Sequence, residues 1–205
     1  MTTLIIARHG NTFEAGETPR RVGAHTDLPL TEKGREQARA IGDWLKGHHL
    51  VPDVTYSSTL KRTIETGEIA ARQAGFPQAC YQLAIFNEID YGPDENKTEA
   101  DVIARIGEQA LIDWAKEARV PEGWNVNPDQ IIKNWQGFAR QITAHDDNET
   151  VLVVTSNGIA RFAPYLTGDF DGFLQCHKIK ISTGALCVLH HTDGDWIVKE
   201  WNIKP

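Results

Sequence analysis

Residues 150–155 read TVLVVT, an unbroken run of β-branched and apolar residues, and such a run suits a strand only when both of its faces are covered. A sheet with one wet face would alternate polar with apolar. A second run, Thr3 to Ala7, has the same character and breaks into Arg8-His9-Gly10; Val54 to Ser57 adds a third short strand. The stretches between them have helical period. Behind Thr31 as N-cap, Ala38, Ile41 and Leu45 share a face that ends near Gly47. A helix from Ser58 aligns Leu60, Ile64, Gly67 and Ala71; Val102, Ile106, Ala110 and Trp114 define another face, and Ile131, Trp135, Phe138 and Ile142 one more. SNG leads from the TVLVVT strand into a short helix around Ile159 to Leu166, and near the C-terminus GALCVLHHT and DWIVKEWNI flank the hairpin signal Asp193-Gly194. Strands alternating with helices imply an α/β chain. Its expected architecture is a mainly parallel sheet with helices on both faces and an antiparallel C-terminal hairpin at one edge.

Charge narrows the class of partner. The chain has 21 Lys and Arg against 28 Asp and Glu, a net charge of -7 that disfavours nucleic acid and anionic membrane surfaces. The basic groups collect at the front, where residues 1–62 hold 9 Lys and Arg against 7 Asp and Glu and leave 12 against 21 for the remainder. Cys80, Cys176 and Cys187 show no CxxC spacing and read as buried small hydrophobes. The apolar run in MTTLIIARHG is too short for a signal or a membrane span, so a cytoplasmic location is the default expectation. His48-His49 and His190-His191 are adjacent pairs, which a strand would point to opposite faces; metal ligation is a poor reading of them.

Ligands of open α/β sheets bind beyond the carboxyl ends of the strands. Three strands here end in reactive or polar residues: Arg8-His9-Gly10, Ser57-Ser58 with Arg62 following, and Ser156-Asn157-Gly158. Imidazole is nucleophilic without a separate base, so His9 can carry a phosphoryl group. Arg8 and Arg62 offer planar forks matched to phosphate oxygens, and Arg62 lies on the first turn of its helix, where the dipole also favours an anion. Gly10 permits close backbone approach, and Asn11 and Thr12 add donors. Trp114 and Trp135 lie on apolar helical faces and read as core; Phe86, Tyr91 and Trp124 lie in loops as candidates for the pocket wall.

The segments LIIARHGNT, TDLPLTEKGREQA, YSSTLKRTIET, FNEIDYGPDENKT and VLVVTSNGIARF, in that order from residue 4 to about 162, resemble the histidine phosphatase superfamily, which includes cofactor-dependent phosphoglycerate mutases. The resemblance implies a single domain over residues 1–205, with an insertion around 84–148 that forms part of the pocket cover. It implies that His9 is the phosphorylated nucleophile and that Glu88 protonates the leaving alcohol and later activates water. Arg8, Arg62, Asn11, Thr12, Asn157, Gly158 and Arg21 would bind the substrate phosphate. No metal and no cofactor are implied; the partner would be a small phosphorylated substrate, with a homodimer left open.

Three places depart from the family pattern. Asn157 stands where the family has a second histidine, and its amide donates hydrogen bonds but carries no charge. Ala15 stands where mutase-like members have asparagine, with Arg20 and Arg21 the nearby bases, Arg21 the stronger candidate. After Glu88 the chain reads YGPDENKT, where an aromatic residue and a glycine are usual near Asp94 and Asn96. The leading expectation is a metal-independent phosphomonoester hydrolase working through phosphohistidine. A catalytically reduced phosphate-ligand binder or regulatory protein is the alternative, and a mutase-type phosphotransferase comes third.

Overall fold

The computed structural model describes residues 1–144 and 149–205; the last four residues of the 84–148 segment lie outside the described residues. Six strands form one sheet: β1 (Thr2–Arg8), β2 (Val54–Ser57), β3 (Tyr81–Gln82), β4 (Thr150–Thr155), β5 (Leu186–Thr192) and β6 (Asp195–Ile203), in the order β3-β2-β4-β1-β5-β6. The pairs from β3 to β1 are parallel; β5 runs antiparallel to β1, and β6 to β5. The sheet is therefore the expected one. Its hairpin turns at Asp193 and Gly194, both at positive φ (55° and 92°), as a tight two-residue turn requires.

The central strands lack alternation because both faces are buried. Ile5, Ala7, Leu152 and Val154 meet Ile41 and Leu45 of α1 (Glu32–Gly47) and Ala70 and Ala74 of α2 (Lys61–Ala74). Leu4, Ile6, Val151 and Val153 pack on the other side with Phe86 and with Trp135 and Phe138 of α5 (Pro128–Ile142). Period-two side-chain direction thus sorts one apolar run into two cores.

Several local expectations need correction. The helix expected from Ser58 starts at Lys61: Ser58 Oγ pairs with Thr63 Oγ1 at 2.5 Å, and the Lys61 amide is capped by Asp27 Oδ1 at 2.8 Å from a distant loop. The face from Val102 to Trp114 is two helices, α3 (Glu99–Ile106) and α4 (Glu108–Glu117), broken at Gly107 with φ of 80°. The helix after SNG is a single turn, α6 (Asn157–Ala160), followed by a 3₁₀ segment, Ala163–Thr167, and by α7 (Phe170–Cys176). Phe86 does not wall a pocket; it is a core residue 5.0 Å from the rings of both Trp135 and Phe138. Trp114 and Trp135 are core as expected. Cys80 and Cys187 are buried, but Cys176 is exposed at the end of its helix. No helix among the described residues is long and apolar enough to cross a membrane.

Candidate active site

The parallel register brings the strand ends together. Arg8 pairs with Thr155 and Ser57 with Val154, so the residues after β1, β2 and β4 emerge on one edge of the sheet. The His9 amide donates to the Thr155 carbonyl at 3.1 Å, and the His9 carbonyl accepts from Gly184 at 3.1 Å, which fixes the residue from both sides. Its ring Nδ1 lies 2.7 Å from the Gly10 carbonyl. A carbonyl only accepts, so Nδ1 carries the hydrogen and Nε2 keeps its lone pair. Gly10 is required here: a Cβ on it would stand 2.3 Å from the Gly34 carbonyl oxygen, where the loop crosses the first turn of α1.

His9 is 6% exposed. Burial, then the positive charges of Arg62 and Arg8, hold its pKa well below the ordinary histidine value, against the pull of the Gly10 carbonyl. The unfolded chain accordingly takes up the His9 proton first, at about pH 6.5. Stability from the neutral imidazole is present above that value and is lost as pH falls beneath it, by at most about 1.4 kcal/mol per pH unit until the folded-state value is reached. Urea midpoints of the parent and His9→Gln, compared at pH 7.5 and 5, are expected to show the steeper acid loss in the parent; equal slopes would refute this assignment.

Arg62 is fully buried at the start of α2. Its Nη1 donates to the Thr26 carbonyl at 2.8 Å and its Nη2 to the Gly23 and Val22 carbonyls at 3.2 and 3.4 Å. Arg8 donates through Nη1 to the Ile181 carbonyl at 2.9 Å. The Nε atoms of both arginines are buried without a partner among the described residues, as is the hydroxyl of Ser156. Buried donors of this kind are costly unless something accepts from them. An anion beside His9 would.

Glu88, 6% exposed, accepts from the Ile89 amide at 2.9 Å, the Gly158 amide at 3.2 Å and the Tyr91 hydroxyl at 3.5 Å. The preceding residues are pinned to the sheet, since Thr155 Oγ1 donates to the Phe86 carbonyl at 2.7 Å and Asn87 Oδ1 accepts from Thr59. Asn157, half-buried, accepts through Oδ1 from the Ile181 amide at 2.9 Å. That bond turns its NH2 the other way. The peptide groups of Ile181 therefore hold both Arg8 and Asn157, a role for a residue that sequence patterns give no reason to single out. Asn11 Nδ2 donates to the Phe13 carbonyl at 2.6 Å and its amide to Gln37 Oε1 at 2.8 Å, so much of its bonding capacity serves its own loop. Thr12 is half-buried beside it.

Segments 21–26 and 88–97 lie against each other. Glu95 Oε1 accepts from Gly23 and His25 amides and from Thr26 Oγ1 at 3.0, 3.2 and 2.6 Å, while Arg21 exchanges backbone bonds with Lys97 and Asn96. The Arg21 guanidinium lies 5.6 Å from the Tyr91 ring and 5.2 Å from that of Trp124. Asp94 anchors the far side, accepting from Trp124 Nε1 at 2.7 Å and from both Nε and Nη2 of Arg105. Arg20, by contrast, is exposed, and among the described residues its side chain hydrogen-bonds only the Asn96 carbonyl, at 3.4 Å. A buried arginine that sequence reasoning passed over, Arg161, lies 3.9 Å over the Trp114 ring. Burial draws its pKa down to about 10, which leaves it charged at neutral pH. The signal was the last part of SNGIARF, a basic residue that directly follows a single helical turn and sits between the apolar Ala160 and Phe162.

A model of the histidine phosphatase superfamily (branch 1) matches residues 4–204. Among curated relatives, the 2,3-bisphosphoglycerate-dependent phosphoglycerate mutase 2 of Gloeobacter violaceus is 29% identical over 199 residues, covering 95% of this chain and 88% of that one. The mutase of Thermobifida fusca is 33% identical over 125 residues, 59% of this chain but only 49% of its own length. Among solved structures, Bacillus stearothermophilus YhfR superposes with a TM-score of 0.76 at 26% identity over 98% of this chain and 97% of that one. A mycobacterial glucosyl-3-phosphoglycerate phosphatase superposes with a TM-score of 0.81 over the whole of both chains, at 19% identity.

Proposed function

The chain belongs to the histidine phosphatase superfamily, and from that premise we propose that it hydrolyses small phosphomonoesters, without a metal, through a phosphohistidine at His9. The observation that carries this reading is the buried neutral His9, with Nδ1 tied to the Gly10 carbonyl and two arginines beside it whose Nε donors have no partner among the described residues. In the first step Nε2 attacks phosphorus, the P–O ester bond breaks, and the departing oxygen takes a proton from the Glu88 carboxyl group. In the second, Glu88 takes a proton from water as the water oxygen attacks phosphorus, the P–N bond breaks, and phosphate leaves. Arg8 and Arg62 serve the phosphoryl oxygens, where charge is spread in a loose transition state. Asn157, Gly158, Asn11 and Thr12 complete the proposed set of phosphate contacts.

Assay against a panel of phosphomonoesters in chelator tests it. The parent should turn over and yield an acid-labile phosphoenzyme, and His9→Ala should do neither. Absence of both from the parent across a broad panel overturns the reading. One observation favours a second reading, a phosphate-ligand binder of reduced activity: the residue clamped to Ile181 is a neutral amide. That reading expects vanadate to bind with negligible turnover and Asn157→His to raise it. A mutase differs only in the acceptor, an alcohol in place of water, and would discharge its phosphoenzyme to phosphoglycerate rather than to solvent.

A further inference from the structure

The two arginines beside His9 are fastened unequally. Arg62 spreads its Nη groups over the carbonyls of Val22, Gly23 and Thr26, whereas the Arg8 side chain makes one hydrogen bond among the described residues, from Nη1 to the Ile181 carbonyl at 2.9 Å. The aim of Arg8 is therefore only as fixed as the peptide group it grips. That group joins Ile181 to Ser182 and is trans, so its C=O and N–H point in opposite directions. The Ser182 N–H, at the end away from Arg8, donates to Oδ1 of Asn202 at 2.6 Å. An N–H can only donate, which turns the amide oxygen of Asn202 toward the peptide and its NH2 away. Arg8, the peptide group and Asn202 form one file of hydrogen bonds in which each bond polarises the next.

Asn202 stands there because β6 bulges. Leu186 pairs with Ile203 and Val188 with Glu200, so Trp201 and Asn202 together oppose Cys187. Asn202 has φ of 59°, and its backbone N–H meets Cys187 Sγ at 3.3 Å. Left-handed backbone favours glycine and tolerates asparagine. Glycine would serve the bulge at least as well; what asparagine adds is the acceptor for Ser182.

We infer that Asn202, far along the chain from the strand ends that carry the site, is a positioning residue for phosphoryl transfer. It touches no reacting atom and acts through the Ile181 to Ser182 peptide group, which it holds in line with the Arg8 fork. Its effect on rate rests on the phosphomonoesterase reading. The worth of a preorganised donor lies in its aim at the oxygens where charge develops, and a peptide group free to tilt loosens that aim.

Two substitutions separate the acceptor from the bulge: Asn202→Gly keeps the left-handed torsion and removes the acceptor, and Asn202→Asp keeps both. For a phosphomonoester that the parent hydrolyses, kcat/KM should fall by about 10- to 100-fold in Asn202→Gly and recover most of that loss in Asn202→Asp. The Arg8→Met background tells positioning from a merely structural role. There Asn202→Gly should cost little more, because the fork it aims is gone, whereas a general loosening of the hairpin would cost the same in both backgrounds. Inorganic phosphate titrated into the parent, both single variants and the double variant reads the same coupling in Kd, without turnover. The nitrogen and proton resonances of the Arg8 guanidinium need no ligand at all; they should shift in Asn202→Gly and stay near the parent's in Asn202→Asp. A failed phosphomonoesterase reading then shows as absent turnover with the Arg8 response intact. An Arg8 spectrum indifferent to Asn202→Gly, or equal losses with and without Arg8, overturns the inference.

Discussion

Gly158→Ala is expected to lower turnover by about 10²–10³-fold while the protein remains folded. A Cβ on Gly158 would stand 2.2 Å from Glu88 Oε1 and 2.8 Å from Ile89 Cγ1. The carboxylate cannot simply lean away, because Oε1 accepts from the Ile89 amide and Oε2 from Gly158 itself. It must move by roughly an ångström, and a misplacement of that size can cost about two orders of magnitude in a positioned proton transfer. The backbone has no objection to the change. Gly158 lies within the single turn of α6 and is absent from the residues of positive φ, so alanine is sterically excluded by the carboxylate and not by its own torsions. Circular dichroism and the melting temperature should therefore stay near the parent's as kcat falls. Glu88→Asp withdraws the carboxylate by about one methylene, so the double variant should be little worse than Glu88→Asp alone, the non-additivity expected of groups in contact. Unchanged kcat in Gly158→Ala would mean that Glu88 is not the proton donor.

Much of this geometry is legible in sequence, and the reasons are local. TVLVVT and the Thr3–Ala7 run announce buried parallel strands because period two is lost when both faces are covered. Arg8 closes β1, His9 follows it and Arg62 stands on the first turn of the helix after β2, at the strand ends where an open sheet places its ligands, and the register brings those ends together. What escapes the sequence is set by contacts made far along the chain. The start of α2 depends on Asp27, and the break at Gly107 looks the same in sequence as a tolerated helical glycine. The Ile181 peptide holds Arg8 and Asn157 through backbone atoms, which any residue supplies. Arg161 was hidden for the opposite reason: a lone arginine at the end of a single turn reads as an exposed charge until Trp114 is found beneath it.

Arg62→Met is the other change expected to act strongly, and it should be felt in folding and in chemistry separately. The side chain is fully buried, and its Nη groups bond the carbonyls of Val22, Gly23 and Thr26. Methionine fills similar space but strands those acceptors, at a cost of about 2–3 kcal/mol, because the loop stays docked through Glu95 and the carbonyls regain water only in part. The urea midpoint reports that loss. Chemistry should fall by about 10³-fold, the scale of removing a charged donor from a phosphoryl-transfer site. Inorganic phosphate separates the two effects: it should raise the melting temperature of the parent and much less that of the variant, since a ligand stabilises only the state that binds it. Arg62 is also the larger of the two cationic influences that depress His9, after burial. Its removal should let the His9 pKa rise toward the ordinary histidine value, seen by NMR titration of the ring. Arg62→Lys keeps a charge near His9 without the fork, so it should leave His9 depressed while losing most of the turnover. If His9 titrates identically in Arg62→Met and the parent, the guanidinium does not act on His9, and its bonds to the loop are its whole role.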